Sequence, residues 1–255
     1  MFKNRLVTNY ALIVLLLWAI FWCHAFAQEH NVIPSYAQAL AKFQAARNND
    51  SNAPSLSEAD RLIMDQAAEN LAASMPNPGL KIGGKAPDFI LPNAFGKPVR
   101  LSDKLKEGPV VLSFYRGAWC PYCNLELHAL HAALPQFRRY GAQLIAITPQ
   151  IPDKSLAQIR EDGYPFEILS DLDSSVMKAY HLYFEVPETV SNVYRRNFGL
   201  DLAEYNGTAR YVLPVPGTYV VDADSIVRAA YADTDYKKRM EPEDIIAALR
   251  KIEDQ

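Results

Sequence analysis

VVLSFYRGAWCPYC, residues 110–123, changes character halfway along. From Val110 to Tyr115 it is a short apolar run of the kind that forms a strand buried on both faces. Arg116-Gly117-Ala118 interrupts the run. Pro121 then suits a helix opening at about Cys120, where the missing proline N–H costs little. A strand that hands over to a helix here puts both thiols of Cys120 and Cys123 in the first helical turn. Three helical residues bring two Cα atoms to about 5–6 Å, within the range a disulfide tolerates. Unpaired amides and the positive end of the helix dipole favour a thiolate at that place.

Working outward, Leu144 to Ile147, Phe166 to Leu169, Thr218 to Val221 and Ile226 to Tyr231 are further short apolar strands. Pro121 to Leu134, Lys154 to Glu161, Ser174 to Tyr180, Glu188 to Phe198 and Pro242 to Ile252 have helical spacing. The alternation predicts an α/β domain, a mixed β-sheet flanked by helices. Turn residues between Val221 and Ile226 predict an antiparallel hairpin at its end, and Asp201 to Pro214 is predicted as a loop. The breaker-rich junction from Met75 to Lys85 marks the start of this domain, taken as residues 80–255. Residues 28–79 are predicted as a helical extension, broken around Asn48 to Pro54. Ser57 and Asp60 can cap its second helix, whose apolar Leu62, Ile63, Ala67 and Leu71 share a face.

Residues 1–27 read as an export signal. Lys3 and Arg5 precede an apolar run from Ala11 to Cys23, and Ala25-Phe26-Ala27 supplies small residues for cleavage after Ala27. The run is shorter than the roughly 20 residues of a membrane span, so no stable membrane insertion is expected after cleavage, and the periplasm is the expected destination. The mature chain would keep 24 basic and 29 acidic side chains, net −5, which argues against nucleic acid as a partner. It would also keep two cysteines, Cys120 and Cys123. In an oxidising compartment a thiol survives only if it is re-reduced or paired.

A reversible dithiol/disulfide is therefore the expected chemistry, with no cofactor and no metal. The bland alternatives are a static bridge in a secreted interaction module and half of a zinc or copper site. A bridge closing so short a loop stabilises little, and no second cysteine pair or spaced histidine pair completes a metal site. Thiolate formation alone is a weak catalyst. Lowering a thiol pKa from about 8.5 to about 6.5 raises the thiolate at pH 7 about 25-fold. Nucleophilicity falls about tenfold over the same interval, so the net gain is about two to three. Positioning and polarisation by neighbouring groups must supply the rest.

The chain resembles the peroxiredoxin-like redoxins of the alkyl hydroperoxide reductase and thiol-specific antioxidant family over about Leu80 to Leu249. The markers are GKAPDFILP (84–92), FYRGAWCPYCNLE (114–126), FEILSD (166–171) and PVPGTYVVD (214–222). The resemblance implies a thioredoxin fold and an antioxidant thiol oxidoreductase. Its substrate would be a hydroperoxide or a protein disulfide, and a thiol reductant would recharge the pair. In that family a Thr lies three residues, and a Pro seven residues, before the peroxidatic cysteine. Counting from Tyr115 puts Cys123 at the peroxidatic position, Cys120 at the Thr place and Arg116 at the Pro place. Glu126 matches a Glu common after that cysteine. The usual later Arg falls on Pro216, so the two groups that orient and polarise peroxide are absent from their places. Pro216 instead resembles the proline, usually cis, that faces the dithiol in thioredoxin-like proteins, and Cys120 and Pro216 are expected to be neighbours. Thioredoxin logic makes Cys120 the attacking thiolate; the peroxiredoxin register makes it Cys123.

Four supporting residues complete the expected site: Arg116, Trp119, Glu126 and Pro216. Arg116 is either a positive charge beside the thiolate or a solvated loop residue. Trp119 is either an apolar lid or core packing, and Glu126 either a proton relay or, by preference, a surface carboxylate. His128, His131 and His181 are read as structural. Tyr205-Asn206-Gly207, Asp235-Tyr236 and Arg239 to Pro242 are assigned no chemistry beyond helix propping and loop anchoring.

Overall fold

The computed structural model describes residues 33–50 and 55–254; the expected signal segment lies outside them. Two helices lead, α1 (Tyr36–Asn49) and α2 (Glu58–Ser74). A small hairpin, β1 (Ile90–Pro92) and β2 (Pro98–Arg100), and the short α3 (Leu101–Leu105) precede β3 (Val110–Phe114) and the long α4 (Pro121–Arg139). The chain continues through β4 (Gln143–Thr148), α5 (Pro152–Asp162), β5 (Glu167–Ser170), α6 (Ser175–Ala179), β6 (Tyr183–Glu185) and α7 (Glu188–Phe198). It ends with α8 (Leu202–Asn206), β7 (Val212–Pro214), β8 (Gly217–Val221), β9 (Val227–Ala232) and α9 (Pro242–Glu253).

The main sheet has the order β5-β4-β3-β8-β9. β3, β4 and β5 run parallel, and β8 is antiparallel to both β3 and β9. This is the mixed, helix-flanked sheet of a thioredoxin fold. Alternate residues of the central strands feed two cores, as the two-residue period of a strand requires. Leu112, Phe114, Ile145, Ile147, Leu169 and Tyr219 pack on the face covered by β1, β2, α3 and α6. Tyr115, Ala146 and Ile168 pack on the opposite face with Leu127 of α4 and Ile159 of α5. With both faces covered, the strands carry few polar residues, which is why they read as unbroken apolar runs.

The structure departs from the sequence reading in three places. Helix α4 continues through Pro135 to Arg139 instead of stopping at Leu134. The proline forfeits one backbone hydrogen bond, and burial of Ala133, Leu134 and Phe137 outweighs that loss. The predicted loop from Asp201 to Pro214 contains α8 and β7, the latter paired with β6. A five-residue helix and two three-residue strands are too short for a period to show. Asp60 does not cap α2. Ser57 does, accepting from the Asp60 amide, while the Asp60 carboxylate pairs with Arg196 and accepts from Asn197 on α7.

Candidate active site

The turn between β3 and α4 has little conformational freedom. Tyr115 N donates to Ile147 O and Cys120 N to Gly117 O. Ala118 N donates to Gln150 Oε1, and Asn124 Nδ2 donates back to Ala118 O. Gly117 has φ of 151°, and a Cβ there would lie 2.4 Å from Trp119 Nε1, so no other residue fits without moving the indole. Cys120 occupies the N-cap of α4 in extended conformation, and Cys123 lies within the first turn. Their sulfurs are 2.8 Å apart as free thiols, with Cys123 Sγ donating to Cys120 Sγ.

Two buried arginines flank the pair. Arg239 Nη2 lies 3.6 Å from Cys123 Sγ, while its Nε donates to Glu126 Oε2 at 2.5 Å. Glu126 also accepts from Thr218 Oγ1 on β8 at 3.0 Å. Arg116 is the second. Its guanidinium lies 4.4 Å from the Tyr236 ring centre and 5.0 Å from that of Trp119, and Nη2 donates to Tyr194 Oη at 2.5 Å. Burial pushes the Cys120 thiol up, yet the hydrogen bond from Cys123 and the charges of Arg116 and Arg239 more than offset it and hold Cys120 at about 6. Burial, together with the hydrogen bond and charge of Cys120, pushes Cys123 well above the ordinary thiol range. Burial also raises Glu126 despite the opposing charge of Arg239.

Several sequence expectations need correction. Glu126 is not a surface carboxylate: it is 1% exposed and bonded to Arg239. Arg116 is not solvated, being 5% exposed. The Val215–Pro216 bond is trans, as is every peptide bond among the described residues. Pro216 shares the wall of a cavity with Arg116, and neither sulfur belongs to that wall. Trp119 is packing: it joins the cluster holding the sulfurs to the one around α7. His128 faces Asp162, and His131 meets Tyr164 and Phe166 edge-on. Asn206 anchors its loop by donating to Val212 O.

Both sulfurs are deep: Cys120 is 1% and Cys123 0% exposed. Part of the cover comes from α1. Leu40 and Phe43 pack on the thiol cluster, and Phe43 meets Tyr122 edge-on at 5.6 Å. Glu241 grips the start of that helix, accepting from the Tyr36 and Ala37 amides at 2.9 and 2.8 Å, and Tyr36 Oη donates to Lys237 O. Arg239 was missed because Lys237-Lys238-Arg239 resembles a solvated charge run. A signal did exist: Glu126 shares the buried face of α4 with Cys123, Leu127 and Leu130, and a carboxylate there requires a cation.

This electrostatic arrangement has a direct consequence for pH. A thiol near 6 is about 90% ionised at pH 7, against about 3% for free cysteine. Below pH 6 the neutral thiol dominates and reactivity falls; above it, the thiolate saturates. Alkylation of the reduced protein by iodoacetamide, followed by mass, is expected to reach half its plateau rate near pH 6. A midpoint above pH 8 would show that the arginines do not act on Cys120.

Comparison with known proteins agrees with this geometry. The sequence model of the AhpC/TSA family matches residues 82–230. A Mycobacterium tuberculosis protein described as a peroxiredoxin is 35% identical over 134 residues, 49% of this chain and 84% of that one. The thiol-disulfide oxidoreductase ResA of Geobacillus kaustophilus is 32% identical over 102 residues, 40% of this chain and 58% of that one. The crystal structure of peroxidoxin BcpB from Mycobacterium tuberculosis superposes with a TM-score of 0.53 at 24% identity, over 68% of this chain and 98% of that one, a likeness of fold. The chain belongs to the AhpC/TSA family and is a thioredoxin-fold oxidoreductase.

Proposed function

We propose that the protein is an exported antioxidant that reduces hydroperoxides with Cys120 as the attacking thiolate and Cys123 as the resolving thiol. One observation carries the assignment: Cys120 caps α4 2.8 Å from Cys123, and the charges of the buried Arg116 and Arg239 help to lower its thiol pKa while that of Cys123 is held high. The Cys120 sulfur attacks a peroxide oxygen, the O–O bond breaks, and the departing alkoxide takes the Cys123 proton. The new Cys123 thiolate attacks the Cys120 sulfenic acid, forming the disulfide and expelling hydroxide. The sum is thiolate, thiol and ROOH giving disulfide, ROH and OH⁻. An external dithiol then returns two electrons and two protons through a mixed disulfide. Arg116 and Arg239 supply the positive field that the family's Thr and Arg would otherwise provide. The small-residue pattern after the apolar run of residues 11–23, read as an export signal, supports action outside the cytoplasm.

Burial favours a hydroperoxide over a protein disulfide, because a few-atom oxidant reaches a covered sulfur through a much smaller opening. The likeness to a thiol-disulfide oxidoreductase keeps the second substrate in view. Its reaction would require α1 to lift from Tyr122. A single-turnover experiment separates the two. Reduced protein mixed with hydrogen peroxide is expected to lose two thiols per equivalent, with a Trp119 fluorescence change at least about 10³ times faster than free cysteine reacts, a gain that only positioning and polarisation can supply. A rate equal to that of free cysteine, together with fast reduction of a protein disulfide, would transfer the assignment to the second substrate.

A further inference from the structure

A cavity of about 920 Å³ lies under α2. Ile63, Ala67 and Leu71 of that helix face Phe184, Val190 and Val215 across it, and Arg116, Tyr194 and Tyr236 stand in the same wall. The volume is within the range of small-molecule sites, roughly 300–1,000 Å³, and such sites combine an apolar lining with a few convergent polar groups. The two buried arginines among the described residues are not treated alike. Arg239 has a carboxylate partner, Glu126. Arg116 has a phenol and ring faces but no carboxylate among the described ion pairs, and its Nε has no hydrogen-bond partner. Its anionic neighbour is the Cys120 thiolate, which is charged only when reduced and ionised. A buried cation without a carboxylate partner in the wall of an apolar chamber is complementary to one kind of molecule.

We propose that this cavity binds a long-chain monocarboxylate, the acyl chain beneath α2 and the carboxylate at Arg116. The chain would meet the aliphatic side chains of α2 and α7, and the head would pair with the Arg116 guanidinium. Binding requires no turnover, so it can be tested apart from the redox chemistry. Reduced full-length protein titrated with cis-parinaric acid, a fluorescent polyene fatty acid, is expected to show saturable one-to-one binding with a dissociation constant on the order of 10 µM. Ala67→Trp, which fills the chamber, and Arg116→Gln, which removes the cation, are each expected to weaken binding at least tenfold. The methyl ester of the probe is expected to bind at least tenfold more weakly to the unmodified protein. Should Ala67→Trp lose its far-UV circular dichroism, the acid and ester comparison on the unmodified protein decides alone. Equal affinity for acid and ester, or no saturable binding, overturns the proposal. So does a concentration-dependent dimer that Ala67→Trp dissolves, since the occupant would then be a second copy of this chain.

Discussion

Replacing Cys120 by serine is expected to reduce the second-order rate constant with hydrogen peroxide by at least about 10³-fold. A hydroxyl in its place is essentially un-ionised at pH 7, so the two arginines would have no nucleophile to act on. Cys123→Ser is expected to behave differently. The first oxidation persists, turnover stops, and a sulfenic acid accumulates on residue 120, where dimedone adds its mass once. The asymmetry follows from position and charge: Cys120 caps α4 with a lowered pKa, whereas Cys123 lies inside the first turn with a raised one. A dimedone adduct on residue 123 of the Cys120→Ser protein, formed at the unmodified rate, would exchange the two roles and favour the peroxiredoxin register.

Arg239→Met is expected to cost about 3–5 kcal/mol of stability, because it leaves Glu126 charged, buried and without its cation. The comparison with Glu126→Leu/Arg239→Met makes the claim specific. Removing both charges together is expected to restore most of the stability, as burying matched apolar side chains in place of an ion pair often does. Stability recovered in this way would not restore reactivity. Without Arg239 the Cys120 thiol loses one of the two cations that hold it near 6, so the alkylation midpoint is expected to move to higher pH in the double variant too. Urea unfolding and the iodoacetamide profile report the two effects separately. A double variant as unstable as Arg239→Met alone would show that the arginine acts through packing and not through its charge.

What the sequence made legible follows from how each part is held. The central strands are buried on both faces, so Val110 to Phe114 and Gln143 to Thr148 are written in residues that admit few other conformations. The dithiol turn was equally readable, since Gly117, Cys120, Pro121 and Cys123 each answer a local requirement of the backbone or the chemistry. Long-range partnerships were not readable. Nothing near Glu126 names Arg239, 113 positions later, and nothing in α1 announces that Phe43 will meet Tyr122. Both pairings depend on which surfaces meet after folding, and exposed and buried arginines are spelled identically. Pro216 shows the converse: its place before β8 was clear, but β6 and β7, the pair that ends just before it, are too short to be seen in the sequence.

The grip of Glu241 on Tyr36 and Ala37 joins positions 205 and 204 residues apart. So large a loop closes late, after local helices and adjacent strands have formed. The cover that α1 lays over the thiol cluster is therefore expected to be the last part of the site to form, once Glu241 at the far end of the chain is in place.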